Sequence, residues 1–146
     1  MSRASCGTVL MLALCLIVSC VSAPDPLAQS LVESIASRNK DIVRLSVHAI
    51  PDGGTEYMAV ASTSSEKLGK PSDPEDLQAV ETGEIIVLDE PGGIDVTVPI
   101  LRFEGEATAA AGVTVNADLG RDAAIQLAQE VAVQIEQGMI NGGMNQ

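Results

Sequence analysis

Residues 84–116 hold three strand-like segments joined by two tight turns, a pattern that commits a chain to an antiparallel sheet. Glu84 to Asp89 carries the apolar run Ile85-Ile86-Val87-Leu88, rich in β-branched residues that suit a pleated surface. Pro91-Gly92-Gly93 turns the chain. Ile94 to Arg102 then alternates, with Val96, Val98 and Ile100 on one side and Asp95, Thr97 and Pro99 on the other, the period of a strand. Phe103-Glu104-Gly105-Glu106 turns it again into Thr108–Asn116. The first half of that strand, Ala109-Ala110-Ala111-Gly112, is unusually small. It leaves room either for a ligand against the backbone or for close packing of a helix.

Upstream, Asp25 is a natural N-cap with Pro26 at the first helical position, and Leu27, Leu31, Val32 and Ile35 recur at helical spacing. Arg38-Asn39-Lys40 closes this helix with cations at its negative end. Ile42 to Ile50 alternates, placing Val43, Leu45, Val47 and Ala49 opposite Arg44, Ser46 and His48. Pro51-Asp52-Gly53-Gly54 turns into a returning strand over Thr55–Thr63. In Ser64–Gly83, Pro71 and Pro74 preclude a strand, and Asp73-Pro74-Glu75-Asp76 opens a short helix that Gly83 stops. A last amphipathic helix places Ala124, Leu127, Ala128, Val131 and Ile135 on one face and is expected to end at Gly138, leaving residues 139–146 as a frayed tail. The predicted class is α+β. A five-stranded antiparallel sheet carries a long N-terminal helix, a short helix in the strand 2–3 connection and a C-terminal helix, with all helices on one face of a two-layer domain spanning 27–138.

The first residues read as a signal, not as fold. Arg3 precedes the apolar run Val9–Val18, which is shorter than the roughly 20 residues a spanning helix needs. Ile17-Val18-Ser19-Cys20 resembles the lipobox of bacterial lipoproteins. This predicts a signal peptide over 1–19, a lipidated Cys20 and a tether over 20–26. Cleavage after Val21-Ser22-Ala23 is the alternative, although Pro24 then follows the scissile bond. Cys6 and Cys15 lie within the segment to be removed, so the mature chain has no partner for a disulfide and must stand on its core. The expected location is the periplasmic side of the envelope, with the outer membrane favoured over the inner because Val21, not Asp, follows Cys20.

Twenty acids against eight Lys plus Arg give a formal charge of −12, the wrong sign for nucleic acid. With one Tyr, one Phe and no Trp, aromatic cages and base-stacking platforms are excluded.

Several phrases together resemble the extracytoplasmic PAS-like sensor domains known as Cache or PDC domains. They are Ala61-Ser62-Thr63 with Lys67–Leu77, Thr82-Gly83-Glu84, Ile94–Ile100, Phe103-Glu104-Gly105-Glu106 and Ala111-Gly112-Val113-Thr114-Val115. The likeness covers about residues 27–118, with Glu104 where that family more often has Asp. It implies a PAS-like sheet and a pocket between the sheet and the loop-helix excursion, taking a small metabolite such as an amino acid, amine or carboxylate. Such domains signal through a membrane helix to an output domain. Here the last helix carries Gln126, Gln129, Glu130, Gln134 and Glu136 and cannot span a membrane, so a separate receptor or envelope protein is the expected partner.

No enzyme, cofactor or metal is expected. His48 is the only histidine, no G-x-S-x-G phrase occurs and no His/Cys cluster has zinc spacing. Asp73, Glu75 and Asp76 read as helix N-terminal acids, not calcium ligands. Strand parity and the resemblance give Tyr57, Lys70, Asp95, Thr97, Thr114 and Asn116 as candidate ligand-binding residues. A buried Asp95 would need a cation, either an amine-bearing ligand or an internal partner such as Arg44 or Lys70. The competing reading is a structural or interaction lipoprotein that keeps the fold and has lost the pocket.

Overall fold

The computed structural model describes residues 24–143. The expected signal peptide, the lipidated Cys20 and most of the tether lie outside the described residues. Five strands form one antiparallel sheet: β1 (Ile42–Ala49), β2 (Met58–Ser62), β3 (Ile86–Glu90), β4 (Gly93–Phe103) and β5 (Glu106–Asn116), in the spatial order β2-β1-β5-β4-β3. Helices α1 (Pro26–Arg38), α2 (Pro74–Thr82) and α3 (Arg121–Gly143) complete the α+β fold, with a short 3-10 turn at Ala117–Leu119.

Local chemistry accounts for the boundaries. Asp25 Oδ1 accepts from the N–H groups of Leu27 and Ala28 at 2.9 and 3.0 Å, which starts α1. Gly83, at φ 69°, caps α2. The β4–β5 hairpin turns on Glu104 and Gly105, both at positive φ (52° and 94°), the geometry that matches the twist of a two-residue hairpin.

One face of the sheet is apolar. Leu45, Val47, Val96, Val113 and Val115 meet Val32 and Ile35 of α1 and Val131 and Ile135 of α3, forming the main core. No helix among the described residues is long and apolar enough to cross a membrane.

Four expectations are corrected. First, α3 does not stop at Gly138 but runs to Gly143, through part of the expected tail. Gly138 is a close-approach position: a Cβ there would lie 2.5 Å from Leu31 Cδ2 of α1, so the glycine lets two helices approach and does not end one. Second, β2 starts at Met58, which pairs with Ala49; Gly54 N–H bonds to Pro51 O at 2.8 Å in a local turn, and a longer loop replaces the expected tight hairpin. Third, Val43 is 56% exposed, because the β1–β5 register shifts between Ile42 and Arg44 and turns it off the core face. Fourth, the domain is not two-layered. α2 covers the second face of the sheet, and that cover creates the site.

Candidate functional site

The second face is polar yet buried. Its rows follow from the register: Ser62, Ser46, Gly112 and Thr97 lie side by side across β2, β1, β5 and β4, with the row Arg44–Thr114–Asp95 on one side and His48–Ala110–Pro99 on the other. Ser46, His48, Asp95, Thr97 and Thr114 are each at most 6% exposed. Buried polar groups of this kind are costly unless partnered.

The cover is placed by the backbone. Residues 64–73 turn back along the outer edge of β2, with Gly69 N–H donating to Ala59 O, Ala59 N–H to Lys70 O and Ser72 N–H to Tyr57 O, at 2.9 to 3.0 Å. The chain then enters α2, where Asp76 Oδ2 accepts from the Asp73 N–H at 2.9 Å, the reach-back half of a capping box. Those bonds hold Ser72, Asp73 and Asp76 above the sheet. Beneath the far end of α2, Val80, Ala107 and Ala110 form a small apolar plug against which Tyr57 packs.

Between sheet and cover lies a cleft lined by Arg44, Ser46, His48, Lys67, Asp73, Glu75, Asp76, Asp95 and Gly112. Its cavity volume is about 10 Å³, space for one water-sized group. At one end the Arg44 guanidinium lies 3.3 Å from Glu90 and 3.4 Å from Asp95, and the Thr114 hydroxyl donates to Asp95 at 2.5 Å. At the other end His48 Nδ1 lies 3.1 Å from Asp76 Oδ2 and 3.0 Å from Ser72 Oγ. Lys67 pairs with Asp73 at 2.5 Å on the rim, and that bond raises the Lys67 pKa.

Burial dominates the His48–Asp76 pair. Loss of hydration pushes the imidazole down to about 4 and the carboxyl up to about 7. Both shifts favour neutral forms, so near neutrality the contact is a hydrogen bond with an uncharged imidazole and not an ion pair.

Oxygens of Glu75, Glu90 and Asp95 come within 4.8 Å of one another, close enough to share a cation. Arg44 already contacts two of those three carboxylates and supplies the positive charge the cluster needs.

The six residues proposed from sequence are placed as follows. Asp95 lines the cleft and Thr114 bonds to it. Thr97 stands opposite Gly112, 1% exposed, with no partner for its Oγ1 among the described residues. Tyr57 belongs to the apolar plug, while Lys70 and Asn116 are exposed and do not line the cleft. Of the two cations offered to Asp95, the structure brings Arg44 to it and not Lys70. Lys67, Asp73, Glu75, Asp76 and Gly112 also line the cleft. The parity that grouped Arg44, Ser46 and His48 was the signal for the floor, and no periodic signal marked the loop residues above it.

No family model and no curated protein matches the chain. Solved structures do match in fold. The GAF domain of a phosphoenolpyruvate-protein phosphotransferase from Acinetobacter superimposes with a TM-score of 0.58 over 85% of this chain and 88% of that one, at 15% identity. The corresponding GAF domain from Coxiella burnetii gives 0.54 over 84% and 90%, at 18% identity. A type II free methionine-R-sulfoxide reductase from Thermoplasma acidophilum gives 0.52 over 73% and 86%, at 14% identity. These neighbours overturn the Cache/PDC resemblance: the fold is PAS/GAF-like, and its likeness is to GAF domains. The phrases that suggested otherwise are turns and short strands in an element order that PAS-like and GAF folds can share.

Proposed function

We propose that this chain is a small-molecule-binding module, not an enzyme, whose ligand enters the cleft between the sheet and α2. The observation that carries the reading is the buried polar face: Ser46, His48, Asp95, Thr97 and Thr114 occupy sheet positions that a purely structural two-sided core would fill with aliphatic side chains. One of the structurally similar chains is named for a free amino-acid derivative, a molecule of the size class proposed. A thermal-shift screen of amino acids, amines and carboxylates tests the reading, because a compound that binds the native state raises its melting temperature. A saturable rise supports it, and no shift with any compound sinks it.

A second reading has one observation in its favour. The cavity holds only about one water, as in a fold kept for interaction and emptied of its ligand. Crosslinking in intact envelopes that recovers one protein partner, together with a silent ligand screen, would favour it.

We further propose that the module is exported and held to the envelope through lipid on Cys20, on the strength of the apolar run and lipobox-like phrase before it. Labelling with a palmitate analogue should mark the wild-type chain and vanish in Cys20→Ala. Undiminished labelling of the variant sinks the anchor and leaves the binding reading standing.

A further inference from the structure

We propose that the hollow above Gly112 is the seat for the primary-ammonium group of a small ligand. The inference rests on the binding-module reading and narrows its ligand class. Gly112 sits on the central strand, in the middle of the polar face, and its missing side chain is what opens the floor. A Cβ built there would meet Asp76 Oδ1 and His48 Nε2 first, each at 3.7 Å. Ser46, directly across on β1, brings its hydroxyl into the same lining, and its oxygen keeps acceptor capacity beside its bond to Ser62. A carboxylate oxygen, an imidazole nitrogen and a hydroxyl thus surround a space the size of one water. An ammonium group offers three N–H donors and no acceptor, which matches three acceptors around one small hollow.

Charge points the same way. The groups facing the hollow from every side are Arg44 and His48 on β1, Asp95 on β4, Lys67 on the loop and Asp73, Glu75 and Asp76 at the start of α2, with Glu90 beside Arg44. Lys67 pairs with Asp73, and Arg44 is shared by Glu90 and Asp95. Glu75 and Asp76 have no lysine or arginine of their own among the described residues. An anionic group in the hollow would lie against Asp76 Oδ1, whereas a cation there supplies the missing charge.

Binding should also move a proton. A cation at Oδ1 favours the ionised carboxylate. Nδ1–H of neutral His48 then donates to Asp76 Oδ2, leaving the Nε2 lone pair facing the ammonium. The proton lost from Asp76 passes to solvent.

The test is calorimetric titration of the purified protein with methylammonium chloride at constant ionic strength, with potassium chloride and sodium acetate as controls. Saturable binding of methylammonium alone is expected. One proton should be released per site below pH 7, seen as heats that depend on the buffer, and Kd should fall by up to about tenfold per pH unit until pH passes the Asp76 value near 7. Gly112→Ala puts a methyl in the hollow at ordinary contact distance, so the melting temperature should hold or rise while methylammonium binding is lost. Asp76→Asn should weaken binding and abolish its proton release, which keeps the test decisive if the alanine variant melts early. Failure of wild type to saturate with methylammonium, or undiminished binding by a folded Gly112→Ala, overturns the seat. If the metabolite screen meanwhile yields a ligand lacking an ammonium group, the binding reading survives without this inference. If it yields none, both fall.

Discussion

Leu45→Ala should lower the free energy of unfolding by about 2–5 kcal/mol, whereas Ser46→Ala, one residue along, should cost about 1 kcal/mol. Both side chains are buried, at 0% and 3% exposure, on opposite faces of β1. Leu45 is the one buried leucine of the main core among the described residues, and its neighbours there are largely valine and alanine. Short branched side chains on strands cannot swing into the space a leucine leaves, so the cavity persists and the cost lies toward the upper end of the range. With stabilities of about 5–15 kcal/mol typical of a domain, and no cysteine within residues 24–143 to crosslink it, such a loss is a large share of the total. Ser46 differs because its Oγ meets Ser62 Oγ at 2.8 Å and Ser62 Oγ also accepts from the Ser64 N–H, so truncation leaves no orphaned group. Urea unfolding followed by far-UV circular dichroism measures both variants. Equal losses would mean that the polar face is packed as tightly as the core, leaving no basis for a cleft there.

The contrast between those two neighbours also shows what could be read in the sequence. Alternation in β1 and β4 assigned Leu45 and Val96 to one side and Ser46 and Asp95 to the other, because side-chain direction in a strand is purely local. The caps at Asp25 and Gly83 and the turn at Glu104-Gly105 were legible for the same reason. The family resemblance placed a pocket between the sheet and the loop-helix excursion, but alternation alone could not show that the polar side is covered. That depends on backbone bonds from residues 69–72 to the edge of β2, and those bonds put Lys67, not Lys70, over the cleft. It depends also on α2 crossing the sheet so that Asp76 meets a histidine from β1. Gly138 misled because a glycine that stops a helix and one that admits a neighbouring helix look alike until the neighbour is placed. Ala109–Gly112 offered a choice between ligand room and close packing, and the structure divides it: Ala110 packs under α2, Ala109 and Ala111 lie in the main core, and Gly112 floors the cleft.

The His48–Asp76 pair makes the other large prediction, a pH dependence hidden in the wild type and exposed by either single substitution. Asp76 binds its proton more tightly when folded, at about 7 against 3.8. Its contribution to stability is therefore fully present below 3.8 and is lost as pH rises to about 7. His48 binds its proton less tightly when folded, at about 4 against 6.5, so its contribution is present above 6.5 and is lost as pH falls to about 4. Across the shared window the two slopes oppose one another at up to about 1.4 kcal/mol per pH unit each, and the pair as a whole contributes little net slope. Asp76→Asn removes the falling limb. Stability measured relative to wild type should then climb with pH through the window, by on the order of 3 kcal/mol. His48→Gln removes the rising limb, and its difference from wild type should slope the opposite way by a similar amount. Each remaining shift survives the loss of its partner because burial under α2, not the partner, is the leading cause of both. Unfolding curves at several pH values, taken as differences from wild type so that the other carboxylates cancel, should give two lines of opposite sign. Two flat lines would mean that water reaches the pair freely, and a cleft that open would not hold the ammonium seat above Gly112.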